Sequence, residues 1–209
     1  MDEYAQHVYA RRPAVGAAAA GPLAGQRALR ARLRCRSFRW FMTQIAFDLT
    51  AKYPLVEPEP FAEGRVRPAA APSLCADAAR GAALRLAPCA RALEPDFLFS
   101  WHKDIRSRSR DVCWDVPDAG PRRPVRLYAC HLGGGNQLWR YLPDTKQIKH
   151  GLNDNCLEYS RSPPAVYINR CAPTEAQRWE PERLHPHMLD KWDSLRDRVT
   201  GPEEPWHDD

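Results

Sequence analysis

Apolar and polar residues alternate in three short runs that each end on cysteine. They are Leu84-Arg-Leu-Ala-Pro-Cys89, Val125-Arg-Leu-Tyr-Ala-Cys130 and Val166-Tyr-Ile-Asn-Arg-Cys171. In each run the first and third residues are apolar, the period-two signature of a half-buried strand. Each run is preceded by Cys-x-Asp or Cys-x-Glu: Cys75-Ala-Asp77, Cys113-Trp-Asp115 and Cys156-Leu-Glu158. These leading cysteines recur roughly every 40 residues. That period also fits propeller blades and helical repeats, but three copies are too few for most propellers and the strands contradict helices. A closed, threefold, mainly β structure is the economical expectation. Gln137-x-Trp139 and Gln177-x-Trp179 close the second and third copies, and Phe97, Phe99 and Trp101 take that place in the first. These aromatics are expected to fill a common core, with the glutamines fixing turns.

Outside the repeats the pattern changes. Residues 2–12 read as a short helix with Tyr4, Val8 and Tyr9 on its apolar side, and residues 13–25 as loop. From Gly25 to Met42, Leu29, Leu33 and Trp40 recur near helical spacing. Six arginines decorate that segment, and a solvated face around an apolar stripe is their simplest reading. Lys52-Tyr-Pro-Leu-Val-Glu-Pro-Glu-Pro60 reads as a stiff connector. Past His185, Met188, Leu189, Trp192 and Leu195 form a short helical pattern before a polar terminus. The expected organisation is a helical segment over 1–50, a linker over 51–60, the repeats over 61–183 and a tail over 184–209.

Composition narrows the picture. Twenty prolines and 27% charged residues argue against a helical bundle. The net charge of +5 comes mostly from arginines spread among prolines and alanines, a poor argument for nucleic-acid binding. No apolar run approaches the ~20 residues of a membrane-spanning helix. The polar start MDEYAQHVYARRP does not read as a secretory signal.

The seven cysteines include no Cys-x-x-Cys, which disfavours a zinc ribbon. The last six fall into pairs separated by 14, 17 and 15 residues. That regularity predicts the disulfides Cys75–Cys89, Cys113–Cys130 and Cys156–Cys171. Each would contribute about 3 kcal/mol by restricting the unfolded chain. Disulfides imply an oxidising compartment. Together with the absent targeting signal and the odd, unpaired Cys35, they raise the expectation of a further segment upstream.

The combination of Cys-x-Asp, an alternating strand to cysteine, and Gln-x-Trp resembles the ricin-type β-trefoil. Two longer stretches resemble the polypeptide N-acetylgalactosaminyltransferases. These are Leu29-Arg-Ala-Arg-Leu-Arg-Cys-Arg-Ser-Phe-Arg-Trp40, and Leu127-Tyr-Ala-Cys-His131 followed by Gly134-Gly-Asn-Gln-Leu-Trp139. The opening MDEYAQHVYARRP resembles the segment that closes that family's catalytic domain. The likeness covers roughly residues 1–182. It implies a carbohydrate-binding trefoil from a Golgi enzyme of mucin-type O-glycosylation, placed in the Golgi lumen. The family's manganese and UDP-GalNAc sites belong to a catalytic domain whose motifs this sequence lacks, so no cofactor and no transfer activity are expected of this chain alone. Cys35 corresponds to a family cysteine that pairs upstream. The expected partners are GalNAc-bearing glycopeptides and that catalytic domain, with neither nucleic acid nor membrane contact.

A hexose site needs a carboxylate acceptor, an amide or imidazole, and a flat ring. The middle repeat holds such a set: Asp115 for the sugar hydroxyls, Tyr128 to flank or bond, His131 to stack or donate, and Asn136 to bridge a hydroxyl. The first repeat keeps Asp77 but has Ala87 and Ala90 at the tyrosine and histidine positions, and a turn-forming role for Asp77 is the expectation. The third has Glu158, Asn169, Ala172 and Ala176, with the carboxylate one methylene too long. One working site is therefore expected. An Asp115–His131 catalytic dyad, a metal site from His185, His187 and His207, and a purely structural trefoil mediating protein contacts are the rivals.

Overall fold

The computed structural model describes residues 21–48, 57–79, 81–118 and 120–192. The expected helix over 2–12, most of the connector and the polar terminus lie outside them. The chain divides into two compact units, one centred on the N-terminal segment and one running Glu59–Asp193.

In the first unit the helical pattern is broken into two pieces. Helix α1 spans Ala24–Arg32 and ends at Leu33, and Arg34 then takes a left-handed φ of 49°. Ser37 starts a second turn, its side-chain oxygen accepting from the Trp40 amide at 3.1 Å. That turn, α2 (Phe38–Trp40), runs on as a π-helical stretch over Phe41–Ile45. Leu29 and Leu33 are exposed, and Met42 and Ala46 are the buried apolar pair. The apolar positions therefore do not share one helix face: the reversal at Arg34 rotates the second piece away from the first. Cys35 is a free, exposed thiol.

Among the described residues the second unit has thirteen strands: β1 (Ala62–Pro68), β2 (Leu74–Asp77), β3 (Arg85–Pro88), β4 (Asp96–Phe99), β5 (Ile105–Ser107), β6 (Val112–Asp115), β7 (Arg123–Pro124), β8 (Arg126–Ala129), β9 (Trp139–Leu142), β10 (Gln147–His150), β11 (Asn155–Arg161), β12 (Pro164–Arg170) and β13 (Trp179–Leu184). The short β7 aside, they fall into three lobes of four. In each lobe the two middle strands form a hairpin: β2–β3, β6–β8 and β11–β12. The first and fourth strands of the lobes form a ring. β13 pairs β1, β1 pairs β4, β4 pairs β5 and β9 pairs β10. Two backbone bonds complete it, Trp139 N to Lys103 O at 2.8 Å and Trp179 N to Lys146 O at 2.7 Å. This is the β-trefoil expected from the repeats, with a closed ring that leaves few free strand edges.

The three hairpins meet through equivalent residues. Leu84, Val125 and Val166 open the three alternating runs, and all three are buried. The Leu84 amide donates to the Val125 carbonyl at 2.9 Å, and the Val125 amide to the Val166 carbonyl at 3.3 Å. Period-two alternation thus sends its first apolar residue to the pseudo-threefold axis in every lobe.

Aromatic residues fill the core as expected. Trp114, Trp139, Trp179 and Phe97 are fully buried, and Phe97 packs edge-on to Trp114 with centroids 5.0 Å apart. The indole N–H of Trp139 donates to the Trp114 carbonyl, and that of Trp179 to the Leu157 carbonyl, both at 2.9 Å. Each Gln-x-Trp indole therefore bonds the middle residue of its own lobe's Cys-x-Asp or Cys-x-Glu. The predicted disulfides Cys75–Cys89, Cys113–Cys130 and Cys156–Cys171 are all formed. Beyond β13, α3 (Pro186–Leu189) folds back, and Met188 and Trp192 are buried, with Trp192 against Phe61 at 4.5 Å between centroids.

Candidate functional site

In the middle lobe one buried amide, that of Gln137, joins Asp115 to the backbone of His131. Asp115 ends β6, directly opposite Arg126 on β8, and Cys113 lies opposite Tyr128. Residues two apart share a strand face, so Asp115, Arg126 and Tyr128 project from the same side of the hairpin. Asp115 is 7% exposed and Tyr128 is 67% exposed, which sets an acceptor at the floor and a ring at the rim.

Gln137 ties this floor together. Its Nε2 donates to Asp115 Oδ2 at 2.9 Å and to the Ala129 carbonyl at 3.0 Å, and its Oε1 accepts from the His131 amide at 3.2 Å. With donors and acceptors placed this way, the amide has one orientation. Asp115 Oδ1 accepts no hydrogen bond among the described residues and remains available. The sequence predicts a turn-fixing role for Gln137, and its hold on the carboxylate appears only in three dimensions.

The loop after β8 supplies the other two groups. Leu132, Gly134 and Gly135 all have left-handed φ, of 58°, 68° and 58°, and two glycines carry most of that cost. The Gly133 amide donates to His131 Nδ1 at 3.0 Å. Nδ1 is thus the acceptor, and a neutral His131 carries its proton on Nε2, facing outward as a donor. His131 itself is exposed. Asn136 is half-buried, and its carbonyl accepts from the Val116 amide at 3.0 Å and from His150 Nε2 at 3.2 Å. Its side-chain amide makes no hydrogen bond among the described residues. His150, which carries no signal in the repeat pattern, is fully buried and anchors Asn136 through its backbone carbonyl. Burial lowers its pKa, against opposing pulls from the Asn136 carbonyl, the Asn153 side chain and the Asp115 charge.

The equivalent carboxylates are more heavily engaged by the fold. In the first lobe, Asp77 Oδ1 accepts from the Ala79 amide at 3.1 Å and the Glu94 amide at 2.8 Å, and Oδ2 lies 4.0 Å from Arg85. Arg110 locks that turn by bonding Glu94 at 2.6 Å and the Ala78 carbonyl. In the third lobe Glu158 accepts from Tyr167 at 2.8 Å, Asn169 at 3.3 Å and Gln177 at 2.7 Å, so both oxygens are engaged. Gln177 otherwise repeats the pattern of Gln137, accepting from the Ala172 amide at 2.8 Å and donating to the Arg170 carbonyl at 2.9 Å.

The geometry bears on two of the rival arrangements, the dyad and the metal site. His131 Nδ1 is occupied by the Gly133 amide, and the protein ligand on Asp115 is Gln137 rather than an imidazole. Among the described residues, no three His, Cys, Asp or Glu side chains gather in a way that could hold a metal ion. His185 and His187 lie against Glu59, and His207 is outside the described residues. A cavity of about 300 Å³ opens in the third lobe between Asp144 and Gln147 on one side and Ala172 and Thr174 on the other.

Residues 62–179 match the ricin-type beta-trefoil lectin domain family. Among curated proteins, the chain is 39% identical over 207 residues to polypeptide N-acetylgalactosaminyltransferase 10 of Homo sapiens, covering 92% of this chain and 34% of that protein. It is 37% identical to N-acetylgalactosaminyltransferase 4 of Drosophila melanogaster, covering 94% of this chain and 33% of the relative. The chain thus spans about a third of the length of these relatives. Among solved structures, a crystal structure of GalNAc-T7 with UDP, GalNAc and Mn2+ aligns with a TM-score of 0.54 at 27% identity, over 88% of this chain and 34% of that one. The agglutinin from Abrus precatorius aligns with a TM-score of 0.52 at 16% identity, over 61% of this chain and 48% of its own, a likeness of fold alone.

Proposed function

The chain belongs to the ricin-type β-trefoil lectin family, and from that premise we propose that its middle lobe binds the GalNAc of glycopeptides. The observation that carries this is the free Oδ1 of Asp115, beside a carboxylate turned into structure in each of the other lobes. Asp115 Oδ1 accepts from two adjacent sugar hydroxyls, and a carboxylate fixed by Gln137 senses the axial hydroxyl that separates GalNAc from its glucose-type epimer. Asn136 and His131 Nε2 supply further hydrogen bonds, and Tyr128 flanks the sugar's apolar C–H face.

A site with one buried acceptor and three rim groups binds weakly. A dissociation constant of about 1 mM corresponds to ~4 kcal/mol. Such a site works by tethering: holding a GalNAc already present on a peptide raises the local concentration of neighbouring Ser and Thr at a linked transferase centre. The setting we propose is mucin-type O-glycosylation in the Golgi lumen, consistent with the similarity to the transferases and with three disulfides in the fold.

The test is a titration of the 209-residue chain with GalNAc and with GlcNAc, followed by NMR. Saturable shifts with GalNAc, weaker shifts with GlcNAc and their loss in Asp115→Ala are expected. An Asp115→Ala protein that binds GalNAc like wild type removes this assignment.

A further inference from the structure

Three exposed arginines crowd the face from which Asp115 is reached. Arg126 is the cross-strand partner of Asp115 and also lies opposite Ala83 of the first lobe. Two residues on from Ala83 is Arg85, on the same side of its strand and opposite Asp77. Pro124, two residues before Arg126, lies opposite Tyr167 of the third lobe. Arg122 sits over the Tyr167 ring, its guanidinium carbon 5.1 Å from the centroid. The hairpins of the first and middle lobes therefore bring guanidinium groups to one surface around Pro124, and the third lobe supplies the Tyr167 ring under Arg122.

The charge on this surface is layered. Asp77 and Asp115 are buried, and Glu158 is held by three side-chain donors. Arg85, Arg122 and Arg126 are exposed above them. Arg123 is exposed too, but Asp118 neutralises it at 2.7 Å. Arg85 keeps a distant contact to Asp77 at 4.0 Å, whereas Arg126 has no ion-pair or hydrogen-bond partner among the described residues. A ligand approaching Asp115 meets positive charge at the rim first.

Resting on the GalNAc-binding reading of Asp115, we infer that Arg126 and its neighbours Arg85 and Arg122 select glycopeptides in which an acidic side chain flanks the glycosylated residue. The sugar docks on Asp115, and the peptide carboxylate lies along the guanidinium groups. Arg126 is the specificity-determining residue, because its cross-strand place beside Asp115 puts it within one side-chain length of a peptide leaving the sugar. Arginine suits this role, since its planar fork meets a carboxylate with two parallel donors.

The experiment uses the full chain and three synthetic peptides: one GalNAc-threonine flanked by Glu, the same peptide flanked by Gln, and the Glu peptide without sugar. Wild type is expected to bind the Glu glycopeptide about threefold more tightly than the Gln glycopeptide at low salt. That preference should vanish in Arg126→Gln and at high salt, while the Gln glycopeptide binds both proteins equally. Equal affinity for the two glycopeptides in wild type overturns the inference and leaves the lectin reading standing. A loss of Gln-glycopeptide and free-GalNAc binding in Arg126→Gln also overturns it, because Arg126 would then serve Asp115 rather than the peptide. Failure of every glycopeptide and of free GalNAc with wild type overturns both readings.

Discussion

The side chain of Gln137 reaches Asp115 across 22 residues of chain, donating from Nε2 to Oδ2 at 2.9 Å. The same amide grips the backbone on both sides of Cys130, through the Ala129 carbonyl and the His131 amide. One buried glutamine therefore fixes the acceptor, the histidine and the disulfide-linked strand end together. A site held like this needs little reordering when sugar arrives, which limits the entropic cost of a weak interaction.

Separating Asp115 from Gln137 by mutation distinguishes chemistry from support. Asp115→Asn can still accept from Gln137, but it turns an amide donor toward the sugar in place of the carboxylate. It should unfold within about 1 kcal/mol of wild type and lose measurable GalNAc binding. Gln137→Ala strands the His131 amide and the Ala129 carbonyl, so it should lose about 2–3 kcal/mol of stability and weaken GalNAc binding as well. Urea denaturation and GalNAc titration of both variants check the contrast. Full sugar affinity in Gln137→Ala would remove Gln137 from the site.

The third lobe should behave in the opposite way. Glu158 serves Tyr167, Asn169 and Gln177, and it has no oxygen to spare. Glu158→Ala is expected to leave GalNAc affinity within about twofold while costing about 1–3 kcal/mol, chiefly from the buried Gln177 donor left unpaired. A Glu158→Ala protein with wild-type stability and impaired sugar binding would place the working site in the wrong lobe.

Trp192 is the test of how far the folded unit extends past its last strand. It is 7% exposed, packs on Phe61, and has the Lys103 ammonium 5.0 Å above its ring. Truncating a buried tryptophan leaves a large void, and Trp192→Ala should cost about 3 kcal/mol. The thermal midpoint should fall by several degrees with GalNAc binding at the distant Asp115 unchanged. An unshifted midpoint would show that α3 and Trp192 are dispensable to the lobes.

Much of this fold is legible in the sequence because its determinants are local. Leu84, Val125 and Val166 stand at one fixed offset from their cysteines, and period-two alternation suffices to bury them. The cysteine spacings carry the disulfides for the same reason. The Asp115–Arg126 pairing follows only once the structure sets Cys113 opposite Tyr128, since antiparallel register runs on from any one pair. The fate of the carboxylates is less accessible. Glu158 is consumed by Tyr167, its partner across the hairpin, a residue that reads along the chain only as part of an alternating strand. Asp77 is consumed by the amide of Glu94, 17 residues on. The helical stripe through Leu29, Leu33 and Trp40 is misread for a related reason: the reversal at Arg34 leaves no mark in hydrophobic spacing. His150 looks like an ordinary strand residue, and its grip on Asn136 depends on two lobes coming together.

That histidine gives the fold a defined response to acid. Burial lowers the folded-state pKa of His150, and the attractions of the Asn136 carbonyl, the Asn153 side chain and Asp115 only partly offset it. In the unfolded chain a histidine takes its proton near pH 6.5. Between that pH and the lower folded value, the unfolded state holds more protons than the folded one, so stability falls as pH drops. The contribution is complete above about pH 6.5 and is lost as the pH falls through the folded pKa. His150→Gln keeps a donor for the Asn136 carbonyl but cannot titrate. Urea midpoints measured from about pH 7.5 to about pH 5 should therefore fall more steeply for wild type than for His150→Gln. Because other histidines are present, the difference between the two curves is the readout. Since His150 supports Asn136, GalNAc affinity should weaken in wild type only once the pH falls to the lowered folded pKa, and less so in the variant. Parallel curves for the two proteins would show that His150 takes up its proton as readily in the folded state as in the unfolded chain, so that burial does not hold it neutral.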